Sequence, residues 1–144
     1  MSVEQASAAE WLAGADNDPE HAFSWWQESP EHTALMPAGR IFDAVVVHQD
    51  RAARALGILA AASPVRPPAW GDAADFKAYF LVPPGTAQAW SCPDTIALGD
   101  ATWVWVPAPA SDSWIWPPDG SGILHDPVAL REALVAAAAQ AVAL

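Results

Sequence analysis

Cysteine and positive charge are both scarce in this sequence. A single cysteine, Cys92, excludes an intrachain disulfide and any metal site built from several thiolates. Lysine and arginine together number six against 17 aspartates and glutamates, giving a formal net charge of −11 and a pI near 4.4. Nucleic-acid binding draws affinity from phosphates that release counterions onto Lys and Arg, so broad binding to DNA, RNA or an anionic membrane surface is disfavoured. The first 32 residues carry Glu4, Glu10, Asp16, Asp18, Glu20, Glu28 and Glu31 with no cation among them. That end repels phosphate. The opening MSVEQASAAEWLAG lacks the basic and long apolar regions of a secretory signal. The Ala-rich ending VALREALVAAAAQAVAL, interrupted by Arg131, Glu132 and Gln140, falls short of a span of about 20 strongly apolar residues. A soluble, cytoplasmic protein without membrane contact is expected.

Familiar chemical motifs are missing as well. His21, His32, His48 and His125 lie far apart and none forms a His-x-x-x-His pair. There is no Gly-x-Ser-x-Gly, no P-loop and no Gly-x-Gly-x-x-Gly. His48 and Asp50 share one side of a predicted strand end, a pattern that reads first as a solvated terminus and second as a divalent-ion site. The one glycine-rich loop, PDGSG at 118–122, is flanked by Asp119 and Asp126 and has no lysine, so a turn leading to a helix N-cap accounts for it better than a phosphate cradle. Cys92 has no histidine or cation beside it in sequence and reads as a small buried hydrophobe. No metal and no cofactor are expected.

Apolar residues make up 53% of the 144, nine of them tryptophan, enough to bury one core and too few for two independent domains. A single domain over 1–144 is expected, with an acidic helical layer at 1–32, a sheet with one helix at 33–124 and a C-terminal helix at 125–144. Ala8, Trp11 and Leu12 share a helical face that ends by Gly14. A second helix starts at Asp18 as N-cap with Pro19 in its first turn, directs Phe23, Trp26 and in one register Trp25 inward, and stops at Ser29-Pro30. TALMPAG and IFDAVVVHQD read as strands, the second buried on both faces. RAARALGILAAAS follows as a helix capped by Asp50, with Ala52, Leu56 and Leu59 on one face. The prolines of SPVRPPAWGDAAD predict an irregular, mobile loop. FKAYFLV is a strand, TAQAW a helical turn, TIALG a run into a turn at Gly99-Asp100. Asp126 caps and Pro127 opens the last helix, with Val128, Leu130, Leu134, Val135 and Val142 among alanines. Successive strands without helical crossovers require antiparallel pairing, so the fold class is α+β, a mainly antiparallel sheet with helices packed on one face.

TWVWV and SWIW, joined by PAPASD, suggest a hairpin that places Trp103, Trp105, Trp114 and Trp116 on one side and an aliphatic row on the other. A strand apolar on both faces belongs in an interior. Burying a large aromatic gains roughly 2 to 3 kcal/mol, and four exposed indoles would form a patch of a few hundred Å². A core or a homo-oligomer interface is therefore favoured over a ligand platform. In IFDAVVV a charge within an apolar strand calls for a partner, and Arg40 lies three residues before Asp43. A structural Asp–Arg pair or an edge position is the first reading and a shared binding role the second. Arg40, Asp43, Trp103, Trp105, Trp114 and Trp116 are the candidate ligand-binding residues. No catalytic residue is assigned.

ALMPAGRIFDAVVV, FLVPPGTAQAW and WPPDGSGILHDPVALREAL together resemble small actinobacterial proteins similar to the N-terminal domain of bifunctional DNA primase/polymerases, here called prim-pol-like. The resemblance covers most of the chain and implies an α+β fold related to archaeo-eukaryotic primases. It also implies an acidic-x-acidic metal pair on a strand and a later strand histidine. At the matching position Asp43 is followed by Ala44 and Val45, and FKAYFLV contains no histidine. Two-metal phosphoryl transfer needs paired carboxylates, so a non-catalytic relative is expected. The leading functional expectation is a non-enzymatic binding or regulatory module acting through a protein partner or self-association. The alternative is a primase-like nucleotide-binding or nucleotidyl-transfer protein in which Arg40 and Asp43 keep part of a site.

Overall fold

The computed structural model describes residues 3–29 and 31–143. Pro30 and the side chain of Val142 lie outside the described residues. The elements are α1 (Val3–Ala13), α2 (Pro19–Glu28), β1 (Thr33–Pro37), β2 (Asp43–His48), α3 (Gln49–Ala62), β3 (Ala69–Asp72), β4 (Lys77–Val82), α4 (Thr86–Ala89), β5 (Ile96–Leu98), β6 (Trp103–Pro107), β7 (Trp114–Trp116) and α5 (Pro127–Ala143). β1 and β6 pair as a two-stranded ribbon. The other five strands form a sheet in the order β5-β2-β4-β3-β7. Every pairing is antiparallel, and the α+β class holds.

The helix ends follow their local chemistry. Asp18 accepts the Glu20 N–H at 3.2 Å and Pro19 fills the first turn of α2. Asp126 accepts the Ala129 N–H at 2.9 Å at the start of α5. The cap of α3 differs from expectation. His48, not Asp50, is the N-cap, its ring Nδ1 accepting the Asp50 N–H at 3.2 Å.

β2 is buried over Asp43–Val47, so its continuous apolar run is covered on both faces. Ala44, Leu81, Trp70 and Trp114 belong to one core, beneath α1, α2 and the β1–β6 ribbon. Val45, Val47, Phe80 and Val82 belong to the other, with Leu56 of α3 and Leu130 and Leu134 of α5. The expected single helical face is thereby corrected: both sides of the sheet are packed. Arg51 binds α3 to α5 by donating Nε to the Leu134 carbonyl at 3.0 Å, and Arg54 repeats the contact at Ala137.

Two further expectations are corrected. SPVRPPAWGDAAD is not wholly a loop, since Ala69–Asp72 forms β3 between β4 and β7. The prolines stop at Pro68, leaving the N–H groups of β3 available to the ladder. TWVWV and SWIW are not a hairpin either. β6 joins β1 and β7 joins β3, because PAPASD carries the chain from the ribbon to the far edge of the sheet.

Candidate functional site

The four expected indoles part company. In β6 the alternation is as anticipated, but Val104 and Val106 are the buried row, 2% and 0% exposed, and Trp103 and Trp105 face out at 59% and 51%. The core half of the expectation is overturned for those two rings, because α1 and α2 already cover the aliphatic side of the ribbon. In β7 both indoles go inward, to different cores. Trp114 pairs with Trp70 and Trp116 with Ala69, with a register shift between those two partners that leaves Ile115 as the extra, exposed residue. Trp114 packs with Trp70, while Trp116 stacks on His125 with centroids 6.0 Å apart.

Arg40 and Asp43 are not brought together. A tight turn, closed by the Gly39 N–H on the Phe42 carbonyl at 2.8 Å, puts Arg40 at its exposed tip. Its Nε donates to the Gly14 carbonyl at 3.0 Å and its Nη1 to Asn17, tying down the α1–α2 loop. Asp43 is 1% exposed. One oxygen accepts the Ala87 N–H at 2.9 Å and the other has no hydrogen-bond partner. His48 and Asp50 are exposed and form the α3 cap contact described above. Among the described residues no group of three or more His, Cys, Asp or Glu is placed to hold a metal ion. The PDGSG loop is a turn in which Asp119 accepts the Ser121 N–H at 2.9 Å. Cys92 is buried and receives an Nη2 contact from Arg51 at 3.6 Å, a cation that lies 41 residues away in sequence.

The structure instead assembles a groove of about 710 Å³. One wall is the end of α2 and the ribbon, presenting Trp25, Glu28, Glu31 and Trp105. The other is the β3–β4 hairpin, presenting Trp70, Asp72, Asp75 and Tyr79. Trp26 fixes the first wall. It is buried, and its Nε1 donates to the Val106 carbonyl at 3.1 Å. Successive helical residues lie about 100° apart, so Trp25 is turned outward, 41% exposed, and meets Trp105 edge to face at 5.3 Å. On the second wall Trp70 and Tyr79 are cross-strand partners whose rings stack at 4.8 Å and 4°. Asp72 shapes the turn by accepting the Ala74 N–H at 3.1 Å, which sets Asp75 beside it.

This groove is negative. Among the described residues four carboxylates line it and no Lys or Arg does. Lys77 is the register partner of Asp72, yet every ion pair among the described residues involves a histidine, and none involves these four acids. The Tyr79 hydroxyl records the field: its pKa is raised from 10.0, first by burial, then by the charges of Asp72 and Asp75. Of the residues anticipated as ligand-binding, only Trp105 is in the groove. The WGDAADFKAYF stretch did carry a signal, since Trp70 and Asp72 alternate as Lys77 and Tyr79 do, on either side of an Asp-bearing turn.

No protein-family model, curated protein or solved structure matches the chain. Among the described residues no helix is long and apolar enough to cross a membrane.

Proposed function

We propose that the chain is a non-catalytic binding module that acts through a protein partner received in the groove between the ribbon and the β3–β4 hairpin. The supporting observation is the Trp25–Trp105 pair, two indoles held edge to face over a concave surface and left in water. Soluble chains rarely leave such aromatic area uncovered without using it, and tryptophans in partly enclosed sites are the usual anchors of protein interfaces. The groove volume falls in the range of ligand-binding sites. Its carboxylates repel a triphosphate, which disfavours the nucleotide-binding alternative. Prim-pol-like descent is part of the same proposal, supported by the three sequence stretches that suggested it.

The test has two steps. A partner captured from the source cells is purified, and its affinity is measured against the wild-type chain, Trp105→Ala and Trp103→Ala, the last altering an exposed indole outside the groove. Trp105→Ala is expected to weaken binding by about tenfold or more, equivalent to about 1.4 kcal/mol, with Trp103→Ala close to wild type. Equal affinity for all three chains rejects the groove. Sedimentation of the chain alone is expected to give a 15.2 kDa monomer. A concentration-dependent dimer abolished by Trp105→Ala would give the groove to a second copy.

A further inference from the structure

Resting on that reading, we infer that the group recognised in the groove is an arginine side chain of the partner, its guanidinium stacked on the Trp25–Trp105 indoles and its N–H edge turned to Asp72 and Asp75. Charge complementarity sets the sign of the occupant. Four carboxylates face the cavity, no cation lines it, and none of the four is engaged in an ion pair among the described residues. An anion or a wholly apolar segment would leave them uncompensated on desolvation.

The aromatic wall selects among cations. An ammonium is a compact, strongly hydrated charge, whereas a guanidinium is flat, weakly hydrated, stacks on indole faces and presents parallel N–H donors to carboxylates. An edge-to-face pair leaves indole face uncovered for such stacking. The chain already makes this contact internally, with the Arg66 guanidinium carbon 5.1 Å from the centroid of Trp116. Tyr79 stands on the same wall as these acids, where burial and the charges of Asp72 and Asp75 hold its hydroxyl pKa above the ordinary value. The cavity exceeds one side chain, so flanking backbone enters with it. That favours an arginine within a polypeptide over a free amine.

The full chain is labelled at its indole nitrogens and titrated with an acetylated, amidated Gly-Gly-Arg-Gly-Gly peptide and with counterparts carrying lysine or citrulline. The arginine peptide is expected to shift the Trp25 and Trp105 Nε1–H signals saturably. The lysine peptide should bind about threefold more weakly and the neutral citrulline peptide at least about tenfold more weakly. Asp72→Asn combined with Asp75→Asn should weaken the arginine peptide by about tenfold, with the unbound indole spectrum showing an intact fold. No saturable shift with arginine, or lysine or citrulline binding as tightly as arginine, overturns the assignment. Citrulline binding equally while the shifts stay on Trp25 and Trp105 removes the cation but leaves the groove as a partner site. Purified partner binding Trp105→Ala as well as wild type removes the site itself.

Discussion

His125 is a buried titratable residue whose behaviour follows from its surroundings alone. It is 3% exposed, packed edge-on against Phe80 at 5.2 Å and stacked on Trp116, and its Nε2 has no well-formed hydrogen bond. Burial lowers its pKa from 6.5 to about 4, with the backbone of Pro68 and Pro67 opposing part of the drop. The neutral ring is therefore the folded form. Above 6.5 neither state takes the proton and its full contribution is present; as pH falls from 6.5 toward about 4 the unfolded chain alone takes the proton, so stability is lost across that window. The loss approaches roughly 3 kcal/mol. Urea midpoints measured at about pH 7 and about pH 4.5 should differ much less for His125→Phe than for wild type, and equal differences would contradict this account. Arg51 poses the opposite case, a buried cation satisfied by the Leu134 and Pro93 carbonyls and the Cys92 thiol without a carboxylate. Neither environment is written locally. Arg51 meets Leu134 across 83 positions, and no periodicity reports such a contact.

At the scale of elements, what was legible depended on how local the cause is. Helix starts at Asp18 and Asp126 were readable because a cap needs only residues within one turn. The period-2 pattern of β6 was readable too, but not the side that faces water, because that depends on which element arrives to cover it. β3 was hidden by its prolines, and the split of Trp114 from Trp116 by a single extra residue that breaks the alternation on which strand reading rests. The groove was legible only in part: Trp105 was among the anticipated residues, while Glu28, Asp72 and Tyr79 converge through tertiary packing. The loop after β7 shows how tightly neighbouring elements are fitted. Gly120 has φ of 90°, and a Cβ there would lie 2.5 Å from Ser7 Cβ and 2.8 Å from the backbone of α1. Gly120→Ala is expected to destabilise by roughly 1 to 3 kcal/mol through overpacking and left-handed strain, read as a lower urea midpoint. A midpoint within error of wild type would mean the loop and α1 do not press together.

For the whole molecule, the arrangement is three layers around one antiparallel sheet, with a core on each side and the groove at the border between the ribbon and the β3–β4 hairpin. Charge follows the same geometry. The acidic bias of the first 32 residues is brought by α2 against the acids of the β3–β4 turn, concentrating part of the net −11 at one cavity. The layers are also mechanically joined. Because the bulge at Ile115 sends Trp114 up and Trp116 down, three residues act as a rivet through the sheet. Neither half can melt while its neighbour stays solid, so calorimetry should record one endotherm whose van't Hoff and calorimetric enthalpies agree.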